Sequence, residues 1–314
     1  MAGCVLVIAG PTGSGKSMLA MDAAEIFNGA IVNADSMQVY RELRVMTARP
    51  SPADEARVPH RLFGVLSVRE RCSAGRWLSL ARAEIDAAHS DGRLPIVVGG
   101  TGLYLAALMK GLAEVPDVPA EVRAEAQALH AAVGGEAFRA GLAALDAGAA
   151  AGLPAGDTQR LIRAYEVARW TGRTLADWQS RKRTDALSGL RFVTVLLLPP
   201  RAELYEALGG RFDAMLRAGG LEEVEALVAM DLDPGVPAAK AVGVRELVEY
   251  VRGDRTLTEA TTAAKQATRR YAKRQMTWLR HQLNADRVLF EQYSETNKPE
   301  TFSFIRLALL TTEA

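Results

Sequence analysis

Residues 10–17 read GPTGSGKS and match the pattern G-x-x-x-x-G-K-S, with Gly10, Gly15, Lys16 and Ser17 at the fixed positions. Residue types at this spacing do one kind of chemistry, which is to hold phosphate. Small residues let backbone N–H groups turn inward around phosphate oxygens, and a following helix adds the positive end of its dipole. Gly10, Pro11, Thr12, Gly13, Ser14, Gly15, Lys16 and Ser17 are therefore candidate ligands of a diphosphate or triphosphate. In such a loop the lysine neutralises the terminal phosphates, and the serine hydroxyl is the candidate Mg²⁺ ligand. The octet does not say whose phosphate it holds, or whether a phosphoryl group moves.

Two further stretches carry polar groups at the ends of apolar runs. Asp35, in Asn33-Ala34-Asp35-Ser36, could ligate a metal, accept a proton from an acceptor substrate, or simply close a turn. Gly99-Gly100-Thr101-Gly102 offers close backbone approach and a neutral hydroxyl, and it would equally serve as a plain loop entering a helix. A nucleotide hydrolase needs another apolar strand ending in a metal-holding Asp. The last long apolar run, 192–200, ends instead in Leu198-Pro199-Pro200.

Positioning these groups requires strands and helices in alternation. Val5–Ala9 leads into the octet, Ser17–Phe27 has helical character, and Ala30–Val32 leads into Asp35. Helical Ala74–His89 precedes Leu94–Val98, which ends at Gly99. Such alternation predicts βαβ units around a parallel sheet. Ligands of such sheets bind at the carboxyl ends of the strands, so the octet, Asp35-Ser36 and Gly99-Gly100-Thr101 should converge on one crevice. The fold class expected is α/β, a P-loop NTPase-like parallel sheet flanked by helices, with an all-helical insertion. Core segments 1–115 and 190–314 would enclose that insertion at 116–189, which is rich in Ala, Gly, Glu and Leu and then in arginine. A long helix is expected over Thr258–Leu283, capped by Thr258 or Thr256.

The 314 residues, 49% apolar and 24% charged, suit a globular protein with a sizeable core. Val5–Ala9 is far shorter than the roughly 20 residues of a membrane span. Two cysteines, Cys4 and Cys72, exclude a disulfide framework and a cysteine-rich zinc site, as in a reduced cytoplasmic protein. The formal charge is only +1, but the balance conceals two basic stretches. Residues 159–183 hold seven Lys and Arg against Glu166 and Asp177, and residues 261–287 hold seven against Asp286. Either alone could be a solvated helix face. Two of them on one chain favour a polyanion larger than a nucleotide.

In this order the pieces resemble the bacterial tRNA dimethylallyltransferase (isopentenyl-tRNA transferase) family. The matching stretches are GPTGSGKS, NADSMQVY at 33–40, TARP at 47–50, PHRLFG at 59–64 and VVGGTGLY at 97–104. They continue with GDTQRLIRAYEV at 156–167, AVGVREL at 241–247 and AKRQMTWLR at 272–280, so the resemblance spans nearly the whole chain. Met46 stands where the family pattern leads one to expect glycine, and the basic residue expected near Ala207 is missing.

The resemblance implies transfer of a dimethylallyl group from dimethylallyl diphosphate to N6 of the adenine at tRNA position 37, beside the anticodon. By that implication the octet and Mg²⁺ hold the leaving diphosphate, with Lys16 and Arg211 neutralising its charge. Asp35 is the base, and Thr101 holds either Asp35 or the leaving oxygen. Carried over by motif position, the tRNA anticodon stem-loop meets Asp35, Ser36, Met37, Gln38, Thr101, Arg123, Gln159, Arg160, Leu161, Ile162 and Arg163. Lys240, Ala241, Val242, Gly243, Val244 and Arg245 extend that set. A cytoplasmic monomer without a membrane partner is expected. The readings that compete are a P-loop nucleotide or small-molecule kinase and an adenine-nucleotide prenyltransferase, neither of which needs the basic stretches, and a non-catalytic RNA-binding protein.

Overall fold

The apolar runs form strands because each is short and, in the middle of the sheet, buried on both faces. The computed structural model describes residues 3–181, 183–184, 187, 189–232 and 235–311, with the backbone alone at 183, 184 and 240. The strands are Cys4–Ala9 (β1), Gly29–Asn33 (β2), His60–Arg61 (β3), Leu94–Gly99 (β4), Leu112–Ala113 (β5), Arg183–Thr184 (β6), Arg191–Leu197 (β7) and Arg287–Leu289 (β8). Six of them make one parallel sheet in the order β3-β2-β4-β1-β7-β8. Every residue of β1, β2 and β4 is buried. β1 lies between β4 and β7, and β4 lies between β1 and β2, so the loops leaving β1, β2 and β4 emerge side by side. That is the convergence the strand rule predicts.

Two compact units divide the chain, one of residues 1–109 with 187–314 and the other of residues 110–186. In the first, helices Lys16–Ile26 (α1), Pro52–Arg57 (α2), Ala74–Ser90 (α3) and Gly102–Lys110 (α4) accompany the early strands. On one face of the sheet Trp77 of α3 stacks on Tyr104 of α4, with ring centroids 4.4 Å apart. On the other face α1 packs Leu19, Ala20 and Ala23 against Leu6, Ile8 and Ile96.

The second unit is mostly helical: Ala120–Leu142 (α5), broken at Gly134, then Ala147–Gly152 (α6), Thr158–Thr171 (α7) and Leu175–Gln179 (α8). Its own small core joins Phe138, Leu142, Leu161 and Ala164. β5 and β6 pair antiparallel within this unit, two short strands where the residue pattern showed none.

Back in the first unit come Arg201–Met215 (α9), Leu221–Ala229 (α10), Val244–Val251 (α11), Leu257–Gln282 (α12) and Lys298–Leu310 (α13). α12 is the long basic helix. Thr256 caps it rather than Thr258, because Thr256 accepts from the Glu259 N–H while Glu259 accepts from the Thr256 N–H, a reciprocal capping box. No helix among the described residues is long and apolar enough to cross a membrane.

Candidate active site

Gly15, at φ +87°, turns the octet into α1, so that Lys16 and Ser17 begin the helix and their N–H groups have no turn before them to bond. Not all of the octet is free to cradle an anion. The Thr12 N–H donates to Gln275 Oε1 at 2.9 Å, and the Ser14 N–H donates to the Pro11 carbonyl. The Ser14 side chain is fully buried beneath Gly10. The octet N–H groups left for an anion are those of Gly13, Gly15, Lys16 and Ser17, with the Lys16 ammonium and the exposed Ser17 hydroxyl beside them.

Lys16 Nζ donates to the Pro11 carbonyl at 3.2 Å. Burial pulls the Lys16 pKa down from the usual 10.5 to about 8, with Asp35 pushing it up and Arg211 pushing it down. Arg211, on α9, is likewise lowered by desolvation and raised by Asp35. Two desolvated cations thus face one carboxylate, an arrangement that favours an arriving anion. The unfolded chain binds more protons than the folded one between about pH 8 and 10.5, so burying charged Lys16 costs stability below pH 8. That cost falls as pH rises through this window.

A proton balance follows. In free protein at pH 9 Lys16 is mostly neutral, and a bound diphosphate restores its charge. Pyrophosphate binding at pH 9 is therefore expected to take up close to one proton more than in Lys16→Met, and at pH 6 no more. Calorimetry in buffers of different ionisation enthalpy measures the difference. Equal uptake by both proteins at pH 9 would remove Lys16 as the charge that meets the diphosphate.

Asp35 is held from both sides. Buried Asn33 accepts from the Asp35 N–H at 2.8 Å and donates to the Asp35 carbonyl at 2.9 Å, while Trp77 Nε1 donates to the Asn33 carbonyl. Asp35 Oδ1 accepts from the Met37 N–H at 2.9 Å, so the turn role weighed from the sequence is real. It is compatible with chemistry, because the same side chain lines the cavity. Thr101 Oγ1 accepts from the Ser36 N–H at 3.0 Å, fixing the β4 loop against the β2 loop. Gly99 allows this approach, since a Cβ there would stand 2.2 Å from the Ala34 carbonyl oxygen.

The cavity itself holds about 220 Å³. Its polar wall is Thr12, Asp35, Ser36, Thr47, Arg211 and Arg274, and its apolar wall is Met37, Met46, Leu208, Phe212, Met215 and Val242. Met46 fills the space left open by two glycines, with Sδ against Gly220 and Cε against Gly243. The 44–46 backbone is anchored by Glu223 of α10, whose carboxylate accepts three N–H groups at 2.7–2.9 Å. Gln38 Nε2 donates to the carbonyls of Thr47 and Ala48, holding the next turn of the same loop.

Residue-pattern reasoning missed Tyr271, Arg274 and Gln275 on α12, and Glu223. Tyr271 lines the cavity, with its hydroxyl at Thr101 and its pKa pushed up by burial and then by Asp35. A seven-residue spacing of Tyr271 and Trp278 reads as a buried face, and the buried face here belongs to the site.

The residues carried over by motif position divide by exposure. Ala241 and Val242 line the cavity, whereas Gly243 and Val244 are buried behind it, and Arg245 is exposed beside Glu249. The Lys240 side chain lies outside the described residues. In the second unit Gln159 and Arg160 are exposed. Leu161 is fully buried in that unit's core, so it can offer a ligand only its backbone. Arg123 and Arg163 both pair with Glu166, a carboxylate 2% exposed, at 3.0 and 2.6 Å. Ile162 is half-buried beside them.

The model of the IPP transferase family matches residues 38–282. A tRNA dimethylallyltransferase of Rhodospirillum centenum is 59% identical over 283 residues, 90% of each chain. One from Rhodospirillum rubrum is 53% identical over 98% of this chain and 95% of its own. Among solved structures, the tRNA isopentenylpyrophosphate transferase of Bacillus halodurans superposes with a TM-score of 0.70 at 30% identity, covering 97% of this chain and 96% of that one. A eukaryotic dimethylallyltransferase acting on tRNA gives 0.79 at 25% identity, over 97% of this chain and 78% of that one.

Proposed function

The chain belongs to the IPP transferase family, and from that premise we propose that it moves the dimethylallyl group of dimethylallyl diphosphate onto N6 of the adenine at tRNA position 37. The observation that carries this reading is a single cavity in which the phosphate loop's Thr12, the carboxylate Asp35 and Arg211 meet an apolar wall. A short hydrocarbon tail ending in a diphosphate has use for all three. A kinase would leave the apolar wall without a role. Because the acceptor is a tRNA, the reaction belongs in the cytoplasm.

The acceptor adenine must leave its stack to enter, at a cost of a few kcal/mol. Asp35 then accepts a hydrogen bond from N6 and takes its proton as the C–N bond forms. The electron pair of the breaking C–O bond departs with the diphosphate, whose growing charge Lys16 and Arg211 meet. Thr101 holds the Ser36 N–H and so keeps Asp35 at its post. Mg²⁺ suits the same end of the site. Ser17 would offer such an ion one hard oxygen there, and among the described residues no group of three or more His, Cys, Asp or Glu could hold one. When bound, that ion neutralises the diphosphate.

The anticodon stem-loop would be gripped by Gln159, Arg160, Ile162, Arg163 and Arg123 in the second unit. Residues 35–38, Thr101 and 240–245 would attend the extruded base. Arg160→Ala with Arg163→Ala is expected to weaken tRNA binding and to flatten the slope of log affinity against log salt by about one to two. Filter binding across a salt series measures it, and an unchanged slope would take this helix out of the interface.

The reading as a whole is tested by incubating the protein with tRNA, Mg²⁺ and either labelled dimethylallyl diphosphate or γ-labelled ATP. Prenyl label entering tRNA is expected. Phosphate label passing from ATP to a small acceptor, with none entering tRNA from the prenyl donor, would overturn it.

A further inference from the structure

Gln275 is a buried polar side chain of α12, 5% exposed, and both polar atoms of its amide are engaged. Oε1 accepts the Thr12 N–H of the phosphate loop at 2.9 Å, and Nε2 donates to the Gly100 carbonyl of the β4 loop at 3.0 Å. One planar group of fixed size therefore spans the two loops that carry opposite halves of the reaction. The Thr12 side holds the leaving group's cradle. On the Gly100 side the next residue, Thr101, holds the Ser36 N–H beside the base Asp35.

The same helix face reinforces the contact on both flanks. Four residues earlier, the Tyr271 hydroxyl meets Thr101. Three residues later, the Trp278 indole covers Gly102 so closely that a Cβ there would come within 2.3 Å of the ring. Residues 271, 275 and 278 share one helical face, and it lies along residues 100–102. Gly100 has no room for a side chain. A Cβ would stand 2.4 Å from Gln275 Nε2 and 2.7 Å from the Gly10 carbonyl oxygen. The loop is shaped around the amide.

We propose that Gln275 is a positioning residue that sets the phosphate loop against the Asp35–Thr101 loop, aligning the departing diphosphate with the base. It touches no reacting atom. The proposal rests on the prenyl-transfer reading for what is aligned, but the span between the two loops holds for any anion bound in the cradle.

Gln275→Met keeps the bulk and removes both hydrogen bonds, leaving the Thr12 N–H and the Gly100 carbonyl unpaired, so the loops re-seat. Donor KM is expected to rise and kcat to fall, together lowering kcat/KM by roughly ten- to a hundredfold, the scale of an ångström of misplacement. Pyrophosphate affinity, measured calorimetrically with Mg²⁺, should fall with the donor KM, while tRNA affinity stays at the wild-type value. Gln275→Asn, whose amide is one methylene too short to span both loops, should do the same and serves if the Met variant does not fold.

A folded Met or Asn variant with wild-type donor KM and pyrophosphate affinity would overturn the proposal. So would donor and tRNA affinities falling in parallel, which marks general loosening of the helix. Failure of the wild-type protein to prenylate tRNA would count against the functional reading instead, and the pyrophosphate comparison would still decide the role of Gln275.

Discussion

Asp35→Asn is expected to lower kcat for prenyl transfer by roughly a hundred- to ten-thousandfold, the usual range for a general base, with tRNA affinity unchanged. The variant isolates one function of a residue that has two. Asp35 Oδ1 closes a turn by accepting the Met37 N–H, and an asparagine oxygen can do that equally well. The flanking bonds are indifferent to the change, because Asn33 grips only the Asp35 backbone and Thr101 grips the Ser36 N–H. What asparagine cannot do is take the N6 proton. Asp35→Ala would remove the turn bond as well, worth about 1 kcal/mol. A variant pair in which Ala loses both thermal stability and turnover, and Asn turnover alone, separates the two roles. Unchanged turnover in the Asn variant, measured with saturating tRNA and donor, would remove Asp35 as the base.

What was legible in the sequence follows the range of the interactions. The octet, Asp35 and Gly99-Gly100-Thr101 stand at strand ends, and strand ends can be read from short apolar runs. Their convergence then follows from parallel-sheet topology. Gln275 could not be found that way, because its partners Thr12 and Gly100 lie 263 and 175 residues away and no local pattern marks a buried amide. Glu223 is invisible for the same reason, lying 177–179 residues from the N–H groups it holds. Arg211 sits on a helix of ordinary composition, and only the family resemblance singled it out.

In the basic stretches, counting charge along one helix leaves out the partners that other elements bring. Lys265, Arg269 and Lys273 recur every four residues and read as one ridge facing a polyanion. In the folded chain Lys265 is paired with Asp213 of α9 at 2.6 Å, and Arg269 lies over the Tyr205 ring. Two of the three are thus engaged with a neighbouring helix that charge counting along α12 cannot see. Arg123 and Arg163 share Glu166 in a comparable way. There the carboxylate is buried and the guanidiniums are about two-thirds covered, which holds them in place while leaving part of each at the surface.

Arg211→Met is expected to cut kcat/KM for the donor by roughly a hundred- to a thousandfold, the cost of losing one preorganised charge at a developing anion. The free protein should be no less stable, and its Tm should rise if anything. Desolvation already holds the guanidinium below its ordinary pKa, and among the described residues Asp35 is the opposing charge for both Arg211 and Lys16. Removing a cation from a site with two of them against one carboxylate relieves a cost that only the diphosphate repays. Loss of activity with gain of stability is what distinguishes a binding charge from a structural one. The change should also reach Lys16. Arg211 pushes the Lys16 pKa down, so without it that pKa rises above about 8, and the extra proton uptake on pyrophosphate binding should begin at a higher pH than in the wild type. Arg211→Lys restores charge but not the planar fork that can hold two phosphate oxygens, and should recover only part of the rate. If Arg211→Met kept wild-type kcat/KM, or if the proton-uptake onset stayed where it was, the guanidinium would not share the anion site with Lys16, and the leaving group would have to be neutralised from the start of α1 alone.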